Sequence, residues 1–270
     1  MIRHLIIYSC ILLQICMFPL TGRSQTAFQS GENLEYSLYY NWSFVWVKAG
    51  TATLTINRST YGDSPAYRTR LLMRGSKKAD SYFVLRDTLT SYVSVDNLMP
   101  LHYSKIDIEG KKHKKREVWY SYPEGKCRAR QQYTHSSGTV TKKDETRASQ
   151  IYDMLSIMLK ARTYNTTGWK AGKRINFLMT DGNGVSNQTL IYRGKCNVKM
   201  RDSKETYRCL QLSFVEKDDD GDEDEVITFF VTDDANHLPV RLDMNLKFGT
   251  SKAYLTSCKG LKNTSGAQIK

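Results

Sequence analysis

The densest group of chemistry-bearing side chains is an acidic run, Asp218-Asp219-Asp220-Gly221-Asp222-Glu223-Asp224-Glu225. Carboxylates on alternate residues about a glycine are what a calcium loop uses. With Gly221 at the sixth place of an EF-hand loop, Glu216, Asp218, Asp220, Asp222 and Asp224 fall on ligand positions. The twelfth place, which requires a bidentate Glu, falls on Ile227. The run therefore reads as a solvated turn between Phe214 and Val226. Zinc has less support, since no CxxC, HxH or HExxH occurs.

Catalysis by a nucleophile or an acid–base pair finds no footing either. His102, His113, His135 and His237 lie in no recognisable motif, and no Gly-x-Ser-x-Gly elbow is present. Asp233-Asp234 would have the carboxylates for proton transfer. They open a turn ahead of Pro239, where Asx turns ordinarily place such residues. Asp181-Gly182-Asn183-Gly184 has the glycines of a phosphate cradle but no following lysine. No catalytic residue, metal ligand or cofactor is expected, and the chain reads as a non-enzyme.

Binding chemistry has more to work with. Tyr36, Trp42, Phe44 and Trp46 crowd one segment, and aromatics on the concave side of a curved sheet line apolar pockets. Ordinary core packing would use the same residues. Lys111, Lys112, Lys114, Lys115 and Arg116 surround His113 in a basic hairpin extension. That extension either contacts an anion or guards a sheet edge against aggregation.

These residues must be positioned by strands. Leu34, Tyr36, Leu38, Tyr40 and Trp42 alternate with polar or smaller residues at the period of a half-buried strand. Similar segments recur at 51–56, 67–73, 89–95, 101–108 and 117–122, then at 175–179, 189–193, 195–200, 207–214, 226–231, 240–247 and 251–256. Turn chemistry such as Tyr61-Gly62-Asp63 separates them. One stretch breaks the pattern: Ile151, Met154, Leu155, Met158 and Leu159 fall at helical spacing. A helix is predicted from Lys143 to Arg162, with Asp144 and Glu145 at its start and Lys160 and Arg162 at its end. The fold expected is mainly β, one or more strongly curved antiparallel sheets, half-barrel or open-barrel-like, with this one amphipathic helix packed against them.

Arg3, the mostly apolar run Leu5–Phe18 and the small residues Gly22 and Ser24 form a secretory leader, 1–24, cleaved before Gln25. The apolar run is too short and too interrupted to span a bilayer. No later segment approaches spanning length, so no transmembrane segment is expected after cleavage. Residues 25–270 then form a single mainly-β domain, with the polar stretch 133–147 as the place where two sub-sheets would divide. Arg3 and Arg23 leave with the leader, so the formal net charge of +13 falls by two to +11. A basic exported protein meets anionic lipids or acidic polysaccharides, not nucleic acid. Cys127, Cys196, Cys209 and Cys258 remain, an even set bound for an oxidising compartment. Cys196 and Cys209 are equidistant from a turn at Asp202-Ser203, which would bring them within disulfide reach. Cys127 would then face Cys258, or both would stay free.

Gly31-Glu32-Asn33-Leu34-Glu35-Tyr36, Ala49-Gly50-Thr51-Ala52 and Asp96-Asn97-Leu98-Met99-Pro100 resemble the opening of the exported bacterial family catalogued as domain of unknown function 3108. Asp153-Met154-Leu155-Ser156 with Arg162 resembles its central helix. Thr232-Asp233-Asp234, Leu238-Pro239-Val240-Arg241, Phe248-Gly249 and Ala253-Tyr254-Leu255 resemble its closing strands. The resemblance spans about residues 30 to 258 and implies a mainly β envelope protein of Gram-negative bacteria with no established activity and no catalytic residues to carry over. By fold analogy the shape is that of the half-barrels of periplasmic lipoprotein carriers. The expected function is that of a periplasmic, non-enzymatic protein binding an amphiphilic or anionic envelope component: lipid, lipoprotein or glycan. The competing expectations are an assembly partner for another envelope protein and, third, a glycan or lipid hydrolase.

Overall fold

The computed structural model describes residues 26–42, 45–81, 84–217, 221–246 and 249–269. The leader, Phe44 and the first three residues of the acidic run, Asp218–Asp220, lie outside them. The N-terminal half is a run of hairpins: β1 (Glu32–Trp42), β2 (Val45–Tyr61), β3 (Ser64–Gly75), β4 (Leu85–Ser94), β5 (Pro100–Glu109), β6 (Lys112–Ser121), β7 (Cys127–Thr134) and β8 (Val140–Arg147). A short helix α1 (Lys77–Asp80) sits between β3 and β4. After β9 (Ile151–Tyr152) and helix α2 (Met154–Ala161), the second half is again hairpins. These are β10 (Arg174–Thr180), β11 (Val185–Lys199), β12 (Thr206–Lys217), β13 (Glu223–Thr232), β14 (Pro239–Leu246) and β15 (Gly249–Lys259). A terminal β16 (Gln268–Ile269) pairs with β12.

One sheet holds all of them. Its order runs from β8 down to β1, crosses to β15, and continues down to β9. The crossing joins the chain's two ends: Leu34 lies opposite Cys258 and Leu38 opposite Ala253. Every pairing is antiparallel except β9 with β10. So long a sheet cannot stay flat, because each strand is twisted against the last. Here it curls into a nearly closed barrel, in line with the open-barrel expectation. Stretch 133–147 does not divide two sheets; it forms the β7–β8 turn and β8 at one edge of the single sheet.

Helix α2 is shorter than the spacing predicts, Met154–Ala161 instead of Lys143–Arg162. Asp153 sets its start: Oδ1 accepts hydrogen bonds from the backbone N–H of Leu155 and of Ser156, each at 3.0 Å, while Ser156 Oγ accepts from the Asp153 N–H at 2.9 Å. A box of this kind satisfies N–H groups that the first turn leaves orphaned. Upstream, Asp144 has no apolar stripe to bury and instead pairs across the strands with Arg128. The helix buries Leu155 and Leu159. Leu155 joins Leu34, Leu54, Leu89, Val118 and Ala129 in the main core. Leu159 joins Phe28, Ile56, Tyr67, Val93 and Leu98, which stop the end where β2 and β4 finish. Each such side chain contributes about 1.5–3 kcal/mol by leaving water. No described helix is long and apolar enough to cross a membrane.

The barrel closes through side chains. The β10–β11 turn lies against β6, β7 and β8. Gln131 Oε1 accepts from Thr180 Oγ1 at 2.6 Å and from the Gly184 N–H at 2.7 Å. Glu145 Oε1 accepts from the Val185 N–H at 3.0 Å, and Lys143 Nζ donates to the Asn183 carbonyl at 2.7 Å. Gly182 makes the approach possible: its φ is +96°, and a Cβ there would lie 2.8 Å from Arg116 Cβ. Gln131→Leu removes the acceptor shared by the buried Thr180 hydroxyl and the half-buried Gly184 N–H and is expected to lower stability by about 1–3 kcal/mol. Hydrogen exchange would show the loss first in the 180–185 amides, whereas uniform loss over the whole sheet would argue against a local seam.

The expected disulfides are not formed. Cys196 and Cys209 do lie directly opposite each other on β11 and β12, yet all four cysteines are free thiols. Register opposition does not by itself meet the Cβ separation and dihedral a disulfide needs. Burial raises the Cys209 thiol to about 12 and also raises Cys196, so both stay protonated. Cys127, buried, and Cys258, exposed, are likewise free, the alternative left open for that pair.

Candidate functional site

Residues directly opposite in paired antiparallel strands share a face, so the register identifies what lines the barrel. Around the end where the β1–β2 and β14–β15 connections lie, one inner row runs Val47, Tyr40, Ser251, Met244, Ile227 and Phe214. The row below it runs Leu38, Ala253, Leu242, Phe229 and Leu212. Bulges at Leu38/Tyr39 and at Phe214/Val215 keep both rows on one face. Val45 is 61% exposed, Val47 44% and Leu246 50%, and Met244, Ile227 and Phe229 are half-buried. The rim of this apolar arc is thus open to solvent at Val45, Val47 and Leu246, while Leu38, Ala253, Leu212 and Phe214 are buried.

The opposite arc, on β4 to β6, is charged. Continuing from Ala52, the same face carries Met73, Asp87, Asp107 and Lys114, then Leu71, Leu89, Lys105 and Arg116 in the next row. Asp107 is only 3% exposed. Its carboxylate takes Lys105 Nζ at 3.1 Å and Arg116 Nη1 at 3.4 Å. The Arg116 guanidinium also reaches Asp181 on the closing turn at 3.5 Å and lies 4.7 Å from the centre of the Tyr133 ring. Three cations, Lys105, Lys114 and Arg116, thus share this arc with three carboxylates, Asp87, Asp107 and Asp181. Deeper in, burial and then the carboxylates of Asp153, Asp181 and Asp107 hold the Tyr103 phenol well above its ordinary value, so it is neutral.

The residues expected from sequence divide. Tyr36 is a core strut: it is 5% exposed and its hydroxyl donates to the Pro239 carbonyl at 2.9 Å. Trp46 lies opposite Asn41, with Lys252 Nζ 4.8 Å from its ring centre. The Trp42 side chain and Phe44 lie outside the described residues. Strand alternation splits the basic cluster, since Lys112 to Arg116 belong to β6. Lys114 and Arg116 point to the inner face. Lys115 points outward and pairs with Glu117 at 2.9 Å. Lys111 and Lys112 are exposed at the β5–β6 turn. Sequence reasoning passed over Met244, Ile227, Phe229, Lys105 and Asp107. The signal available was the alternation of β5, where Tyr103, Lys105 and Asp107 share a parity and therefore a face.

The groups weighed for catalysis are engaged in structure. Asp233 accepts from Lys195 at 2.7 Å and Arg208 at 3.1 Å, and Asp234 Oδ1 caps a turn by accepting from the Asn236 N–H at 3.0 Å. His237 Nδ1 meets the Arg162 carbonyl at 2.9 Å. Among the described residues no group of His, Cys, Asp and Glu could hold a metal ion.

The profile of the family described as protein of unknown function (DUF3108) matches residues 35–256. No curated protein sequence matches the chain. Among solved structures, the fold is similar to the crystal structure of a β-barrel-like protein of domain of unknown function DUF1849 from Brucella abortus. The TM-score is 0.55 at 13% identity, over 86% of this chain and 98% of that one. At that identity the likeness concerns the fold.

Proposed function

We propose that this chain, which belongs to the DUF3108 family, is an exported, non-enzymatic protein that binds an amphiphilic component of a bacterial envelope in the mouth of its barrel. Export rests on the leader-like residues 1–24. The observation that carries the binding is the division of the mouth: exposed Val45, Val47 and Leu246 on one arc, Lys105, Asp107, Lys114 and Arg116 on the other. An acyl chain lies along the apolar arc and removes it from water. A polar headgroup exchanges hydrogen bonds with the charged arc. Because that arc is balanced, the site favours an amphiphile over a simple anion.

The test uses a dansyl-labelled lysophospholipid titrated into the purified protein. Val47→Asp and Leu246→Asp are expected to weaken binding about tenfold or more, each by placing a charge where the chain would lie. Both positions are exposed, so the variants fold. Thr53→Asp, on the outer face, leaves binding unchanged. Absence of binding by the natural sequence, or equal binding by all three variants, would falsify the reading.

A further inference from the structure

The outside of the barrel carries a second arrangement that the mouth does not use. Across β3 to β8 one outer row runs Arg68, Tyr92, His102, Trp119, Arg130 and Asp144, each opposite the next. Tyr61 stacks on His102 with ring centres 5.2 Å apart and planes 12° from parallel. Tyr92 is 5.3 Å from Tyr61, and Trp119 is 5.7 Å from His102. All four rings are half-buried, on a face over which no second layer lies among the described residues. Elsewhere this face carries mostly short polar residues, among them Thr53, Thr55, Thr90 and Ser104, with Leu72 and Ile106 as apolar positions outside the ring cluster. Four large rings in contact are not needed there to close a core.

The row ends in a hollow of about 430 Å³ bordered by Trp119, Arg130, Gln132, Lys142 and Asp144. Its volume is of ligand size. Its lining is net positive, with Arg130, Lys142 and Lys143 against Asp144. Asp144 is held by Arg128 at 2.9 Å, and Glu117 by Lys115 at 2.9 Å. Arg68, Arg70, Arg130 and Lys142 are exposed beside them. Burial keeps the His102 imidazole below its ordinary value, so it adds a neutral stacking surface and leaves anion recognition to the arginines and Lys142.

We propose that this outer strip binds an acidic saccharide, with a sugar ring on Trp119, its carboxylate or phosphate on Arg130 and Lys142, and its hydroxyls on Gln132. An aromatic face offers flat apolar contact, and guanidinium offers paired donors to a carboxylate or phosphate. A single-stranded nucleic acid would also meet rings and cations. The saccharide is favoured because the leader-like N-terminus points out of the cytoplasm and because Gln132 sits beside Trp119 to serve hydroxyls. The site stands independently of the barrel mouth.

Calorimetric titration with an oligogalacturonate tests it, alongside its neutral methyl ester and an oligothymidylate. The acidic oligomer should bind, with affinity falling as salt rises. Arg130→Gln and Lys142→Gln should each weaken it about fivefold to tenfold, Trp119→Ala more, and Trp119→Phe should restore most of the loss. Val47→Asp should bind it normally, which separates this site from the mouth. The proposal fails if the acidic oligomer does not bind, if its methyl ester binds as well, if the two exposed-cation variants bind like the natural sequence, or if oligothymidylate binds more tightly.

Discussion

Arg162→Met is expected to lower the folding free energy by about 3–5 kcal/mol, because it strands a carboxylate inside the protein. Arg162 Nη2 donates to Glu32 Oε2 at 3.0 Å, and Nη1 donates to Oε1 in parallel. The side chains are 3% and 0% exposed. Nε donates to the Asn236 carbonyl at 3.1 Å, and the guanidinium lies 5.5 Å from the centre of the Phe28 ring. One residue thereby ties the end of α2 to the first residue of β1 and to the loop before β14. A bidentate, buried pair of this kind is weak evidence that charge was needed for stability, since an apolar substitute of similar volume often does as well. Breaking it is another matter. Glu32→Gln alone should cost a comparable amount by leaving the guanidinium unpaired. The double variant Glu32→Gln, Arg162→Met should recover to within about 1–2 kcal/mol of the natural sequence, a coupling that neither single change would reveal. Urea unfolding followed by circular dichroism reads all three. Single losses under 1 kcal/mol would mean that water reaches the pair.

How far sequence reading reaches depends on what the other face of each strand does. Along Leu34–Trp42 apolar residues alternate with polar or smaller ones, so strand, face and curvature are legible. On β13 the sequence Val226-Ile227-Thr228-Phe229-Phe230-Val231 is apolar on both faces, and nothing local says that Ile227 and Phe229 join the mouth while Phe230 packs beneath Arg241, 4.9 Å away. Bulges compound this, because one extra residue exchanges the faces of everything beyond it. The bulge at Leu38/Tyr39 is what places Val47 with Tyr40. Strand β7 escaped notice because its inner residues include Gln131, which serves the seam, so its alternation does not read as apolar against polar. The stripe at Ile151–Leu159 was visible, yet the capping carboxylate of Asp153 decides where helix begins, and a strand had already claimed Ile151. The paired cysteines show the same limit: spacing fixed their register without fixing the bond.

Asp153 should make stability depend on pH in a direction opposite to that of most carboxylates. It is wholly buried, and desolvation raises its pKa from 3.8 to about 6 in spite of the hydrogen bonds from Ser156, Ser91 and Leu155. The folded state therefore holds the proton longer than the unfolded chain does. Stability associated with the neutral acid is fully present below about pH 4 and is lost as pH rises through about 6. Two pH units of difference correspond to about 3 kcal/mol. Asp153→Asn keeps the acceptor that caps Leu155 and Ser156, and its amide can donate to Ser91 Oγ as the protonated acid would. It cannot ionise. Near pH 4 the variant is expected to match the natural sequence or fall slightly below it, and by pH 7 to exceed it by about 2–3 kcal/mol. Only the difference between the two proteins matters here, since every other titrating group is common to both and cancels. Urea midpoints at pH 4, 5, 6 and 7 measure it. A difference that stays flat across that range would mean that the α2 cap stabilises the carboxylate enough to offset its burial, and that Asp153 is ionised in the folded protein throughout.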